Sequence, residues 1–140
     1  EMLRSLVGSE MCIRDSMTAI DLTTGKTKWQ VPMGSIEDAP VRGIVPGVHI
    51  PLGMPTMGGP LVTKGGLTFF HGTLDYYLRA LDNDTGRELW RGRLPVGGQG
   101  APMTYMGKDG KQYVVVTVGG ATRTGTNDNR GDYIIAYALP

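Results

Sequence analysis

Asp75, set in Gly72-Thr-Leu-Asp-Tyr-Tyr77, is an acidic residue whose setting suggests a task beyond solvation. An aspartate at an inter-strand turn can hold a basic partner or orient a ligand contact. It can equally cap the turn by accepting hydrogen bonds from nearby backbone N–H groups. Gly119 and Gly120, followed by Ala121, end the apolar run 112–118. Two glycines there let backbone approach a flat ligand closely, or form a β-bulge. Arg79, Arg123 and Arg130 each offer the planar donor fork that binds carboxylates, with surface solvation as the plainer role. His49 and His71 are the two histidines, and neither has the neighbouring ligands that a metal site needs. His71 ends a predicted strand, where it would point to the central pocket or, on the plainer reading, cap a pair of aromatics. Met54, Met57, Met103 and Met106 suit irregular gaps between sheets. No nucleophile elbow, phosphate loop or paired-cysteine motif occurs.

The elements that must position these residues are short. In 140 residues there are 22 glycines and 9 prolines, a usage that favours many strands and turns over long helices. Charge is nearly balanced, 14 Lys+Arg against 13 Asp+Glu, so no broad field exists to attract nucleic acid, which is excluded as a partner. The single cysteine, Cys12, cannot form an internal disulfide. No run approaches the roughly 20 apolar residues that span a bilayer, and the start lacks the apolar core of a secretory signal. Residues 1–16 share neither the turn spacing nor the strand chemistry of the rest and are expected to be a non-native leader. Residues 17–140 carry the fold.

A motif occurs twice. Ala19-Ile-Asp-Leu-Thr-Thr-Gly-Lys-Thr-Lys-Trp29 and Ala80-Leu-Asp-Asn-Asp-Thr-Gly-Arg-Glu-Leu-Trp90 share Ala, Asp, Thr, Gly and Trp at identical offsets. Each reads as strand, turn, strand: Asp and Thr bond local backbone, Gly supplies positive φ, and Trp lies on the following strand. The second copy sits within four predicted strands, 60–63, 67–71, 77–82 and 87–93. One such sheet leaves apolar faces exposed, whereas stacking it on sister sheets around an axis buries both, the arrangement of a β-propeller blade. Trp90 is then expected to lie flat between blades. The copies stand about sixty residues apart against the roughly 40 to 50 of a usual blade, and the surplus is 34–59, read as a long inter-blade loop. A glycine-rich link, 95–100, leads to three further strands at 103–106, 112–118 and 133–139. The expected fold is all-β, a propeller fragment holding half of one blade, a full blade and most of another.

The repeated motif is similar to the tryptophan-docking motif of quinoprotein alcohol and sugar dehydrogenases. Longer strings, Pro51-Leu-Gly-Met-Pro-Thr-Met-Gly-Gly59, Gly72-Thr-Leu-Asp-Tyr-Tyr-Leu-Arg-Ala80, Arg93-Leu-Pro-Val-Gly97, Ala101-Pro-Met-Thr-Tyr105, Gly110-Lys-Gln-Tyr-Val-Val115 and Gly131-Asp-Tyr-Ile-Ile-Ala-Tyr-Ala-Leu-Pro140, resemble the C-terminal end of the membrane-bound glucose and quinate/shikimate dehydrogenases. The resemblance implies an eight-bladed propeller, anchored by an N-terminal membrane domain and set on the periplasmic face of the bacterial inner membrane. It implies oxidation of a sugar or cyclic polyol, with electrons passed to pyrroloquinoline quinone (PQQ) and then ubiquinone, and calcium or magnesium beside the cofactor. The catalytic carboxylate, a cofactor-contacting lysine and the metal ligands lie upstream in this family, so no catalytic or metal-binding residue is assigned and the chain alone is expected to be inactive. Cofactor contacts are implied for Asp75, Gly119, Gly120 and Ala121. Glucose-oxidising members carry histidine at the last of these, so alanine there turns the expectation toward quinate, shikimate or another polyol. The competing reading is a non-enzymatic propeller scaffold of the outer-membrane assembly type, because fold alone does not specify function.

Overall fold

The computed structural model describes residues 16–38, 47–120 and 130–138. Nine strands and no helix occur among them, so none contains a helix long and apolar enough to cross a membrane. They form three antiparallel sheets in sequential order. The first pairs β1 (Ser16–Ile20) with β2 (Thr27–Pro32). The second is a meander of β3 (Leu61–Val62), β4 (Leu67–Phe70), β5 (Tyr77–Asp82) and β6 (Glu88–Arg93). The third joins β7 (Met103–Met106), β8 (Gln112–Val118) and β9 (Tyr133–Ala138). Strands β5, β7 and β8 have the ends that the sequence pattern predicts, while β3, β4 and β6 are shorter than expected.

Both motif copies fold alike. Asp21 Oδ1 accepts the Thr23 N–H at 2.8 Å and Asp82 Oδ1 accepts the Asp84 N–H at 2.9 Å. Gly25 and Gly86 take φ of 68° and 73° to close the two turns. The register slips between Ala19 and Ile20 in one hairpin and between Ala80 and Leu81 in the other, leaving Ala19 opposite Trp29 and Ala80 opposite Trp90. Identical side-chain chemistry at identical offsets yields the same turn followed by the same bulge.

The middle sheet contributes to two cores, because successive side chains point to opposite faces. On one face Leu61, Phe69 and Leu78 pack with Leu94 and with Val114, Val116 and Val118 of the third sheet. On the other, Phe70 and Leu81 pack with Met17, Met33, Trp29 and Val31 of the first. This sandwiching of a meander between two sister sheets is blade stacking. Trp29 links the first pair: its Nε1–H donates to the Asn83 carbonyl at 2.9 Å, and its ring lies against Gly86 in the next turn.

Trp90 does not lie flat between blades as expected. It is 42 % exposed and meets Tyr137 edge-on, with centroids 5.4 Å apart and planes at 72°. The turn that receives Trp29 joins the third and fourth strands of its blade, and no corresponding turn of the third sheet lies among the described residues. The methionines also divide. Met54 is buried, but Met57, Met103 and Met106 are exposed, and Met17 and Met33 fill the gap between the first two sheets.

A Cβ added at Gly86 would stand 2.6 Å from Trp29 Cε3, whereas one at Gly25 would meet nothing within 4 Å. In the full-length protein, Gly25→Ala is expected to cost about 1–2 kcal/mol from left-handed strain alone. Gly86→Ala should cost a further 1–3 kcal/mol or so from the collision. Denaturant unfolding of the two variants measures the difference, and equal losses would contradict the docking.

Candidate functional site

Antiparallel order places every second connection at the same end of the sheets. The segments 33–38, 53–59, 71–76, 94–102 and 119–120 therefore gather there. Their backbones interlock: Met57 N–H donates to the Gly72 carbonyl at 3.2 Å, Leu94 N–H to the Tyr76 carbonyl at 2.7 Å, and Gly120 N–H to the Gly97 carbonyl at 2.8 Å. All the chemistry-bearing positions singled out above, where described, lie at or beside this end, save Met106 at the far end of β7.

Asp75 is 0 % exposed and accepts hydrogen bonds on both oxygens. The Ser35 N–H, from the segment leaving the first sheet, donates to Oδ2 at 2.7 Å. The Thr73 hydroxyl donates to Oδ1, and Arg79 spans both oxygens, with its Nη2 on Oδ2 and its Nη1 3.1 Å from Oδ1. Burial by itself would raise the pKa of Asp75, but the Arg79 hydrogen bonds and charge, then Thr73 and Ser35, outweigh it and hold the carboxyl below its ordinary value. Arg79 is buried as well, not solvated. Its Nε donates to Glu88 Oε2 at 3.0 Å and its Nη1 to Thr73 Oγ1 at 3.0 Å. The aspartate thus holds a basic partner and fastens the preceding sheet's exit segment in one arrangement. Ser35, Thr73 and Glu88 complete it, and the turn position of Thr73 was the one local clue to any of them.

Next to it, Tyr76 takes φ of 55°, a left-handed conformation costly for a bulky residue. A second layer of pairs fixes the segment 35–38 and His49 over β5 and β6. Arg93 donates to Asp38 through Nη1 at 2.6 Å and Nη2 at 2.7 Å, and its Nη1 also reaches the Asp75 carbonyl at 2.9 Å. Arg91 Nη1 lies 2.7 Å from His49 Nε2, whose Nδ1 is 3.3 Å from Glu37 Oε2. The Tyr77 ring packs beneath Arg91 and Arg93, at 5.1 and 4.9 Å.

Gly119 is exposed and Gly120 buried, with φ of 102° at the latter. A Cβ at Gly119 would come within 3.3 Å of the Gly131 carbonyl, so a side chain there would need one of these two strand-end segments to give by a few tenths of an ångström. Ala121 and Arg123 lie outside the described residues, and Arg130 is exposed. No group of three His, Cys, Asp or Glu able to hold a metal ion occurs among the described residues. His71 is fully buried at the end of β4, its ring against Gly98 rather than capping aromatics.

Residues 14–114 match the family described as glucose/ethanol/alcohol dehydrogenase, β-propeller domain, which uses PQQ. Over 125 residues, 89 % of the chain, the sequence is 57 % identical to a quinate/shikimate dehydrogenase (quinone) of Acinetobacter baylyi. It is 45 % identical over 124 residues to a quinoprotein glucose dehydrogenase of Escherichia coli. The chain spans about 15 % of the length of each. Among solved structures it is similar to a europium-containing methanol dehydrogenase, with a TM-score of 0.55 and 33 % identity, covering 75 % of this chain and 15 % of that one. A quinohemoprotein alcohol dehydrogenase from Comamonas testosteroni gives 0.54 and 33 %, covering 74 % and 12 %.

Removing the Asp75 charge strands Arg79. In the full-length protein Asp75→Asn is expected to lower stability by roughly 3 kcal/mol near neutral pH, the low end for a broken buried pair because Glu88 remains. A depressed carboxyl pKa stabilises the fold fully above the unfolded value of about 4, and the effect fades as pH falls through the folded value. The gap between wild type and Asp75→Asn should therefore narrow below about pH 4 in denaturant titrations. A gap that widens on acidification would contradict the pairing.

Proposed function

The chain belongs to the PQQ-dependent glucose/ethanol/alcohol dehydrogenase β-propeller family, and we propose that it supplies blades of a dehydrogenase that oxidises a cyclic polyol of the quinate or shikimate type. The observation that carries this reading is identity of 57 % to the quinate/shikimate enzyme against 45 % to the glucose enzyme over nearly the same span. Ala121, standing where glucose-oxidising members resemble one another in carrying histidine, points the same way. Extended identity to dehydrogenases also favours an enzyme over a non-enzymatic scaffold.

PQQ, when bound, would accept two electrons from the carbinol carbon of the substrate. This segment's contribution would be to shape the surroundings of the cofactor. Gly119 would offer exposed, side-chain-free backbone against which a planar ring can lie, with Gly120 buried behind it, and Ala121 is assigned with them on the family resemblance alone. Asp75 would act at one remove: its oxygens are committed to Ser35, Thr73 and Arg79, so it would orient the 71–76 turn instead of touching the ring itself. The described residues contain no metal cluster, and a calcium or magnesium ion would take its ligands from elsewhere in the polypeptide. Electron delivery to ubiquinone, a membrane-anchoring domain and a place on the periplasmic face of the inner membrane complete the proposal.

The test is reduction of an artificial electron acceptor by full-length protein reconstituted with PQQ and calcium or magnesium. Quinate or shikimate should be preferred over glucose by about tenfold or more in kcat/KM. A preference for glucose would overturn the substrate assignment, and inertness toward every polyol would restore the scaffold reading.

A further inference from the structure

Tyr76 is the one non-glycine residue with positive φ among the described residues, and at 55° it holds a bulky side chain on left-handed backbone. Such conformations are costly and persist where the surroundings over-determine them. The ring is half-buried against the core shared by the second and third sheets, with the Arg93 guanidinium 5.6 Å from its centre. Ordinary backbone can also bury a ring, so packing does not by itself call for the left-handed geometry.

The hydrogen bonds on either side of it do. In an extended strand successive carbonyls point to opposite edges. Asp75 and Tyr76 instead both turn theirs toward the end of β6, where the Tyr76 carbonyl accepts the Leu94 N–H at 2.7 Å and the Asp75 carbonyl accepts from Arg93 Nη1 at 2.9 Å. The Asp75 side chain meanwhile lies toward the first sheet, where it takes the Ser35 N–H at 2.7 Å. One reversal of φ thus lets two consecutive residues serve both inter-sheet spaces. From Leu94 the chain runs on to Gly97, whose carbonyl accepts the Gly120 N–H at 2.8 Å. Ser35, Leu94 and Gly120 lie just past the ends of β2, β6 and β8, one strand from each sheet. Their bonds form one line across the three sheets, with the strained residue at its centre.

We propose that Tyr76 is a positioning residue: its left-handed backbone, more than its ring, aligns these three segments and so sets the Gly119–Gly120 backbone toward the cofactor. This rests on the dehydrogenase reading above, in which Gly119 and Gly120 border PQQ.

Full-length protein without PQQ, as wild type, Tyr76→Gly and Tyr76→Val, is followed by amide hydrogen exchange at Ser35, Leu94 and Gly120, with Val116 of β8 as the reference. Glycine takes positive φ freely but has no side chain, whereas valine keeps some bulk and strongly resists that conformation. Exchange at all three amides should stay within about threefold of wild type in Tyr76→Gly and rise about tenfold or more in Tyr76→Val, the reference remaining unchanged. Tyr76→Ala, which also lacks the ring, should exchange faster than Tyr76→Gly at the same amides and covers the case in which the valine variant unfolds. PQQ affinity, read from quenching of protein fluorescence, should be kept by the glycine variant and weakened about tenfold by valine. A glycine variant that opens more than the valine or alanine variant would mean that ring packing is what matters and would overturn the proposal, as would opening confined to Leu94. Opening at all three amides with PQQ affinity unchanged overturns the role toward the cofactor. A wild type that binds no PQQ sinks the dehydrogenase reading itself, while the exchange pattern still decides the alignment.

Discussion

The buried Asp75–Arg79 pair is the interaction on which the loop end of this structure depends. Two charges removed from water are costly, and the arrangement holds only because nearly every bonding position is used. The carboxylate takes a backbone N–H, a hydroxyl and a forked guanidinium, and the guanidinium extends on to Glu88 of the neighbouring strand. The backbone donor is Ser35, which has just left the first sheet, while the other groups belong to the second. A single carboxylate thus joins two blades, and it does so at the level where the apolar contacts of Phe70 and Leu81 with Met17 and Met33 give way to loops.

Below that level, stacking follows from the two-residue period of the strands. Leu78 on β5 faces the third sheet and Leu81, beyond the bulge, faces the first. Arg79 falls on the same side as Phe70, its partner across β4. A charged side chain at that position must be buried between sheets, and Asp75 answers it. The bulge shared by both hairpins has a related role, since it sets Trp29 opposite Ala19 and turns the indole toward Asn83 of the next blade.

Much of this was legible in the sequence. The strands 77–82, 103–106 and 112–118 are bounded by turn residues whose chemistry is local, and the two motif copies announce themselves by spacing. Contacts between segments were not legible. Nothing near Ser35 signals a bond to a carboxylate forty residues on, and nothing near His71 shows that its ring will rest on Gly98. The methionines show the same limit: their flexible, apolar side chains suit a gap between sheets, yet which gap depends on register and face, so Met17 and Met33 are inside while Met103 and Met106 are outside. Arg79 is the instructive miss, because its place in the alternation with Leu81 already marked it as facing a neighbouring sheet. Asp75 was recognised as able to hold a basic partner, but the identity of that partner required the fold.

The charges at the loop end also bear on what this segment can recognise. Asp75 is answered by Arg79, Asp38 by Arg93, and Glu37 faces His49, which in turn meets Arg91. These pairs hold the 35–38 segment and the 71–76 turn in place and have little charge left to offer a ligand. Beyond these pairs, the exposed groups of the described loop end include the Gly119 backbone and Arg130. Binding of a substrate carboxylate would have to draw on cations outside these pairs. At this end of the sheets charge is in this sense used to build the structure, joining segments that belong to different sheets.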